Sequence, residues 1–294
     1  MSLMLWFDGR LGPQDQLAAP LTTHALHYGT AVFEGIRSYA TPDGAAVFRL
    51  DDHLERMRRG AEALGMEFDV ARAAAATIAV LRANHHRDAY VRPLLWCGTG
   101  GLGLDVAPLT RHLMVASLPW KPHLGERPIR LTVSPMRRNP ARAMPPLKLA
   151  GGYVNAILAK REATARGYDD ALFVDEAGAV VECSGVNVFL VKDGAVVSVE
   201  HADALPGITR DTVLALSGGS TRAVGLDELL DADEVFVAGT SAEVLPVAEI
   251  DGRRFGPSPV ADALRAEYLR VVRGGAPQHE AWLTRVPGAH AHAA

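Results

Sequence analysis

The sequence contains few cysteines and no long apolar run, and both absences narrow the classes of protein to consider. Two cysteines, Cys97 and Cys183, occur among 294 residues, so a disulfide framework is not expected and a reducing compartment, the cytoplasm, fits. Residues 73–81 are the most apolar stretch with helical spacing, and they are too few to cross a bilayer. The first ten residues carry no basic segment followed by an apolar run, so we expect no secretory signal.

Charge of either sign is not in excess. Thirty basic and thirty-four acidic residues leave a formal net charge of -4, which argues against a nucleic acid or an anionic membrane surface as partner. Hydrophobic residues make up 48% of the chain, enough to bury a sizeable core. The composition therefore favours an enzyme that acts on small molecules.

The order of the predicted elements indicates an α+β protein with two domains. Prolines and a glycine interrupt the pattern within residues 119–128, so we predict an interdomain linker there, between a smaller N-terminal domain over residues 1–118 and a larger C-terminal domain over 129–294. Tight turns at residues 176–178 and 193–194 join short strands, which favours largely antiparallel sheets with helices.

Lysine is scarce because arginine carries most of the positive charge, and one of the four lysines has unusual neighbours. Lys121, Lys160 and Lys192 fall in a linker, on a polar helix face and in a turn. Lys148 is flanked by leucines and followed by small residues. An amine desolvated among apolar neighbours can be an uncharged nucleophile near neutral pH. The alternative is a lysine that extends from an apolar loop into water.

Two turns downstream are rich in hydrogen-bond donors. Residues 205–211 place Gly207 and backbone N–H groups at a predicted helix start, which is a ready site for an anion. Residues 239–243 offer a second such turn at the end of a strand. Each turn alone is equally typical of an ordinary loop with a helix cap, and the pair together favours a phosphate site.

Glu182 follows the apolar pair Val180 and Val181, so its carboxylate is expected to be partly buried. A carboxylate in that position needs a cationic partner or a strong donor. An arginine salt bridge is the common solution. The protonated ring nitrogen of a bound cofactor is the other, because the carboxylate would keep the ring an effective electron sink.

Taken together, these segments resemble the class IV, or fold-type IV, pyridoxal-phosphate (PLP) aminotransferases, and within them the branched-chain aminotransferases. The resemblance runs from Trp6 to about Trp282, nearly the whole chain. It rests on residues 24–30, 32–37, 90–93, 182–189, 205–211 and 239–243, which occur in the same order as in the family.

The resemblance implies PLP as cofactor and assigns roles to individual residues. Lys148 would form the Schiff base with the cofactor. As a single base, it would then move the proton between the substrate's Cα and the cofactor's C4′. Tyr153 would hydrogen-bond the ring hydroxyl oxygen, and Glu182 would pair with the ring nitrogen. The phosphate would be bound by Arg56, Thr240 and the Gly207, Ile208 and Thr209 turn.

The resemblance also implies transamination between L-leucine, L-isoleucine or L-valine and 2-oxoglutarate, in a cleft between the domains. Apolar walls would accept the aliphatic side chain, and Arg92 or Arg37 would bind the second carboxylate of glutamate. The implied substrate pocket consists of Tyr28, Phe33, Arg37, Tyr90, Arg92, Trp120, Thr240, Ser241 and Ala242. Family members are at least homodimers, with the Tyr28 segment reaching the neighbouring subunit's site.

Several alternatives stay open. D-amino-acid transaminases, amine transaminases and aminodeoxychorismate-lyase-like enzymes share the fold and cofactor, and a catalytically silent or purely structural homologue is a rival of another class. Gly152 and Val186 depart from the family pattern, which bears on substrate range. Residues 98–103 fit a dinucleotide fingerprint, but no helix follows them, so we expect a loop near the substrate. No metal site is expected, because His24 and His27 lack further ligands.

Overall fold

The computed structural model describes residues 2–120, 124 and 127–287. Within these residues the chain divides into two compact units. The first unit comprises residues 2–120, 147–151 and 271–287, and the second comprises residues 124, 127–146 and 152–270.

The described elements alternate irregularly between helices and strands. The α-helices are α1 (His24–Tyr28), α2 (Leu50–Ala63), α3 (Val70–Ala83), α4 (Tyr153–Ala165), α5 (Ile208–Ser217), α6 (Leu226–Leu230) and α7 (Pro259–Val272). The strands are β1 (Met4–Phe7), β2 (Arg10–Pro13), β3 (Ala31–Phe33), β4 (Ile36–Thr41), β5 (Gly44–Phe48), β6 (Ala89–Cys97), β7 (Arg111–Pro119), β8 (Ile129–Val133), β9 (Asp170–Val174), β10 (Val180–Cys183), β11 (Asn187–Lys192), β12 (Ala195–Val199), β13 (Ser220–Arg222), β14 (Glu234–Gly239), β15 (Glu243–Ile250), β16 (Arg253–Arg254) and β17 (Leu283–Val286). Short 3₁₀ helices span Gln14–Gln16, Ala150–Gly152 and Pro277–Trp282.

The first unit is built on an eight-stranded antiparallel sheet in the order β17-β5-β4-β6-β7-β1-β2, with β3 paired to β6. Strand β6 alternates between buried residues and half-buried ones such as Tyr90 and Arg92, so these two side chains share one face. Helices α2 and α3 supply buried apolar residues to the same core as the sheet, among them Leu54, Met57 and Val80.

The second unit is built on a nine-stranded mixed sheet in the order β10-β9-β8-β15-β14-β11-β12-β13, with β16 paired to β15. The pairs β8–β9, β8–β15 and β12–β13 are parallel, and the others are antiparallel. Helix α4 connects β8 to β9, which is the kind of crossover that parallel neighbours require. The predicted α+β fold with largely antiparallel sheets is confirmed.

Residues 147–151 and 271–287 belong to the first unit, although they are distant in sequence from residues 2–120. Strand β17 pairs with β5, and Leu149 forms an isolated bridge with Val32. The contiguous domains predicted from the sequence, with boundaries at residues 118 and 129, stay a prediction. Among the described helices, none is long and apolar enough to span a bilayer.

Candidate active site

The residues that the sequence singled out fall on both units. The first unit carries Tyr28, Phe33, Arg37, Arg56, Tyr90, Arg92, Trp120 and Lys148. The second unit carries Tyr153, Glu182, Gly207, Ile208, Thr209, Thr240, Ser241 and Ala242.

Lys148 lies on a short segment that is anchored to the core of the first unit. The backbone N–H of Phe33 donates to the carbonyl of Lys148 over 3.3 Å, and Leu149 is buried in the core. The Lys148 amine lies 5.2 Å from the centroid of the Phe33 ring. The backbone of this lysine is therefore fixed while its half-buried side chain passes an aromatic face.

Glycines make that anchoring possible. Gly29 has a left-handed backbone with a φ of 67°, and a Cβ there would lie 2.7 Å from the Cα of Gly151. The N–H of Gly151 donates to the Gly29 carbonyl over 3.1 Å. Only glycine combines this conformation with such a close backbone approach.

Five residues of the first unit form an aromatic–arginine cluster: Phe33, Arg37, Tyr90, Arg92 and Trp120. Arg92 donates to the Tyr90 hydroxyl over 2.7 Å and its guanidinium carbon lies 4.6 Å from the Phe33 ring centroid. The guanidinium of Arg37 lies 3.5 Å from the Trp120 ring centroid, and the rings of Tyr90 and Trp120 stack at 6.3 Å. Apolar surface and two cations thus occur together, as the predicted substrate pocket requires.

The position of Tyr90 depends on Gly35. A Cβ at Gly35 would lie 2.0 Å from the Tyr90 hydroxyl oxygen and 2.7 Å from its ring carbon Cζ. Any side chain at this position would therefore displace the Tyr90 ring, together with its hydrogen bond to Arg92.

Arg56 forms a buried ion pair with Glu34. The Arg56 Nε donates to Glu34 Oε1 over 2.7 Å and Nη2 donates to Oε2 over 2.9 Å. His53 Nδ1 lies 2.8 Å from Glu34 Oε2. Burial acts to raise the pKa of Glu34, but Arg56 and His53 outweigh it and hold that pKa well below its usual range. Glu34 is therefore ionised at neutral pH despite its burial.

Tyr28 and the glycine-rich loop are in contact within the first unit. The Tyr28 hydroxyl donates to the Leu102 carbonyl over 2.9 Å, and His24 Nε2 lies 2.9 Å from the Gly103 carbonyl oxygen. Residues 98–103 form a loop between β6 and β7 with no helix, as predicted; the nearness of this loop to the substrate stays a prediction.

In the second unit, Glu182 is buried at the end of β10 and both of its oxygens accept hydrogen bonds. Arg138 Nε donates to Oε1 over 2.8 Å. The Asn187 amide and the Leu205 N–H donate to Oε2 over 3.3 and 3.1 Å. The structure thus contains the arginine salt bridge that was the common alternative for this carboxylate, and the ring-nitrogen role stays a prediction.

Asn187 connects Glu182 to the turn that precedes α5. Its amide nitrogen also donates to the Leu205 carbonyl over 3.0 Å. A Cβ at Gly207 would lie 1.9 Å from the Asn187 Oδ1, so the turn passes directly beside this amide. Helix α5 then begins at Ile208, and Gly207 provides no side-chain cap. Its first-turn N–H groups have the chemistry of an anion site.

The second predicted turn, Thr240 to Ala242, joins β14 to β15. The Ala242 N–H donates to the Gly239 carbonyl over 3.1 Å. A Cβ at Gly239 would lie 2.8 Å from the Val186 Cγ1. Val186, one of the departures from the family pattern, therefore packs directly against the base of this turn.

A cavity of about 550 Å³ in the second unit is lined by Tyr153 and Ser241 together with Val186, Ser184 and Asp170. The cavity brings together two residues that the sequence predicted from separate motifs. Asp170 is buried there, and that burial raises its pKa even though Lys160 and a hydrogen bond from Ser184 act in the opposite direction.

Sequence reasoning missed Glu34, His53 and Arg138. His53 and Arg56 are three residues apart on α2, which places them on one helix face and could have been noticed. Arg138 has no local signal, because its partner Glu182 is 44 residues away.

Comparison with known proteins identifies the family of this chain. The family model for amino-transferase class IV matches residues 31–250. The chain belongs to the class IV aminotransferases, as its motifs indicated.

Within that class it is similar to branched-chain-amino-acid aminotransferases. The one from Pseudomonas aeruginosa is 37% identical over an alignment of 298 positions, and the alignment covers 96% of this chain and 97% of the relative. The solved structure of the T.th. branched-chain amino acid aminotransferase with N-(5'-phosphopyridoxyl)-L-glutamate is 43% identical, with a TM-score of 0.92 over 98% of this chain and 99% of that one. The Escherichia coli structure is 32% identical, with a TM-score of 0.93 over 98% and 100% of the two chains.

Proposed function

We infer that this chain is a branched-chain-amino-acid aminotransferase, which uses PLP to move the amino group of L-leucine, L-isoleucine or L-valine to 2-oxoglutarate. The observation that carries the proposal is the anchored Lys148 segment beside Phe33 and its aromatic–arginine cluster. Full-length relatives of that activity support it. The T.th. enzyme was solved with a phosphopyridoxyl derivative of glutamate and with 4-methylvaleric acid, a branched aliphatic acid.

The polar groups of each unit suit the parts of PLP. Arg56 is a buried cation, and the start of α5 offers N–H groups without a side-chain cap; both are donors for a phosphate. Glu182 is a buried acceptor for a protonated ring nitrogen. PLP, when bound, supplies an aldehyde that captures the substrate's amine and a ring that accepts electrons.

The chain's own residues then have distinct tasks. The Lys148 amine would bind the cofactor's aldehyde carbon, C4′, and once released would move the proton from the substrate's Cα to that carbon. Tyr153 donates to the ring hydroxyl oxygen, and Thr240 with the Ile208 and Thr209 N–H groups binds the phosphate. Glu182 keeps a proton on the ring nitrogen, and the Arg138 and Asn187 bonds hold its carboxylate in one orientation.

One pocket must bind both the aliphatic side chain of a branched-chain amino acid and the charged side chain of glutamate. An aliphatic chain needs apolar walls, which the rings of Phe33, Tyr90 and Trp120 supply. The second carboxylate of glutamate needs a cation, and Arg92 is held in place for that by the Tyr90 hydroxyl. We assign substrate binding also to Tyr28, Arg37, Ser241 and Ala242.

We propose that a second copy of the chain completes the assembly as a homodimer. Helix α4 buries only alanines, Ala156, Ala159 and Ala163, and exposes the larger Val154, Ile157 and Leu158. Exposed apolar side chains grouped on one helix often mark a face that a partner covers. In the first unit, Leu21, Leu26 and Leu104 are 86%, 66% and 82% exposed. Such apolar exposure is typical of homodimer interfaces, and Tyr28 lies next to it in the sequence.

The oligomeric state can be tested by sedimentation equilibrium. We expect the wild-type chain to have twice the mass of one chain or more, and Ile157→Glu to shift the distribution towards monomers. A monomeric wild-type chain would contradict the proposal. The cytoplasm stays the proposed compartment, because the sequence contains only two cysteines.

Activity is tested by supplying the PLP-loaded protein with L-leucine, D-alanine or a primary amine, each with 2-oxoglutarate, and measuring glutamate. Turnover with L-leucine well above the other two supports the proposal. A preference for D-alanine or for the amine would place the chain among the other class IV activities. No turnover with any of them, despite bound PLP, would favour the catalytically silent homologue.

A further inference from the structure

Glu34 and His53 form a buried network around Arg56 that the roles assigned so far do not use. The Glu34 side chain is completely buried, and Arg56 and His53 are nearly so. No network of this kind is needed to fill a core, because apolar residues of similar volume do that at no electrostatic cost. The network therefore calls for a function beyond packing.

The geometry shows what Glu34 does to Arg56. Its carboxylate receives Nε and Nη2 in two nearly parallel hydrogen bonds. A guanidinium is planar, so this fork-to-fork pair fixes the plane of the group as well as its position. Without it, a long arginine side chain has many rotamers, and ordering it on ligand binding would lower the affinity.

Glu34 itself is held by two further donors. His53 Nδ1 lies 2.8 Å from Oε2, and the N–H of Gly35 donates to the same oxygen over 3.2 Å. His53 and Arg56 stand one helical turn apart on α2, so the helix presents both donors to one carboxylate. Burial lowers the pKa of His53 and outweighs the charge and hydrogen bond of Glu34, which raise it; the charges of Arg56 and Lys148 add to the lowering. The imidazole is therefore neutral near pH 7, with one N–H to donate.

We propose that Glu34, supported by His53, is a positioning residue that orients Arg56 to bind the phosphate of the cofactor. This inference rests on the proposed function, since it concerns how the same cofactor is held. Glu34 receives the Nε and Nη2 donors of the guanidinium, and the phosphate would be bound by Arg56. Glu34 touches neither cofactor nor substrate in this scheme and acts only through Arg56.

The test compares binding of PLP with binding of pyridoxal, which has the same ring and aldehyde but no phosphate. Both are titrated against apoprotein and followed by quenching of the intrinsic fluorescence. In Glu34→Gln, we expect the affinity for PLP to fall by about 10- to 100-fold, the range seen when a group that orients a ligand is removed. The affinity for pyridoxal should stay unchanged.

Three further variants sharpen the result. His53→Leu should lower PLP affinity in the same selective way, whereas His53→Asn, whose amide can replace the Nδ1 donor, should retain it. In an Arg56→Ala background, Glu34→Gln should have no additional effect. Glu249→Gln removes the partner of Arg130 in the second unit and is the matched control, with no change in either affinity.

The outcomes separate the inference from the proposed function. If wild-type protein does not bind PLP, the proposed function is wrong and the inference falls with it. If wild type binds PLP but Glu34→Gln loses PLP and pyridoxal affinity equally, Glu34 is merely structural. If the PLP affinity of Glu34→Gln is unchanged or higher, Glu34 only neutralises the charge of Arg56. That result would also overturn the inference. If Glu34→Gln does not fold, as circular dichroism would show, His53→Leu decides by the same criteria.

Discussion

Replacing Gly207 by alanine isolates the contact between the α5 turn and Asn187. The backbone of Gly207 is extended, with φ of -75° and ψ of 131°, which alanine adopts without strain. The added Cβ, however, would lie 1.9 Å from Asn187 Oδ1 and 3.1 Å from its Cγ. Asn187 must therefore move, and it donates to both Glu182 and Leu205.

The size of the effect follows from those bonds. Alanine is a poorer helix cap than glycine, which costs about 0.5–1 kcal/mol. Moving Asn187 leaves buried groups without partners, at about 1–3 kcal/mol. The second contribution would lower the melting temperature by roughly 2–12 °C, at about 2–4 °C per kcal/mol for a unit of this size.

Gly225→Ala provides a matched control. Gly225 caps α6 with nearly the same backbone, a φ of -76° and a ψ of 157°, and an added Cβ meets nothing within 4 Å. Thermal unfolding of both apoproteins, followed by circular dichroism, should give a clearly lower melting temperature for Gly207→Ala. PLP binding should weaken only in that variant. Equal melting temperatures for the two variants would refute the reasoning about Asn187.

Three other perturbations have definite expected results. Burial lowers the pKa of His53 from its ordinary 6.5. The stability that the neutral imidazole contributes is therefore present above pH 6.5 and is lost as the pH falls. We expect His53→Asn to lose less stability between pH 7.5 and 5.5 than the wild type does. Burial raises the pKa of Asp170, so its ionised form weakens the fold at neutral pH, and Asp170→Asn should raise the melting temperature relative to wild type more at pH 7 than at pH 4. Gly35→Ala, which displaces Tyr90, should lower kcat/KM for L-leucine by about 10- to 100-fold with little change in stability.

Each of these results has a contrary outcome. Parallel pH curves for wild type and His53→Asn would show that another group, such as His86, whose pKa burial also lowers, causes the acid loss. A lower melting temperature of Asp170→Asn at pH 7 would mean that the Lys160 and Ser184 contacts outweigh burial. Wild-type kinetics in Gly35→Ala would remove Tyr90 from the substrate pocket.

Local signals made much of the fold predictable from the sequence. Helix α4 was expected from Tyr153 to about residue 166 and ends at Ala165, because a proline-rich loop precedes it and Gly167 follows. The parallel pairing of β8 with β15 was not predicted, since the two strands are more than 100 residues apart and no local pattern encodes such pairing.

The candidate site, too, was predictable from local sequence signals only in part. The leucine neighbours of Lys148 drew attention to it, and the family resemblance gave it a role, but only the structure pairs its segment with the first unit, through the bridge between Val32 and Leu149. The partner of Arg56 is Glu34, 22 residues earlier, and it became evident only once β3 and α2 were packed. Sequence patterns identify a reactive residue type, whereas the groups that orient it come from distant parts of the chain.

The central claim is that Lys148 holds PLP and that the chain transaminates branched-chain amino acids. Its most direct test is the absorbance spectrum of the PLP-loaded protein during addition of L-leucine and then of 2-oxoglutarate. We expect a band near the edge of the visible range that shifts with L-leucine, recovers with 2-oxoglutarate, and is missing from folded Lys148→Ala. A wild-type protein without such a band after incubation with PLP, or a band in Lys148→Ala that responds as in wild type, would contradict the account.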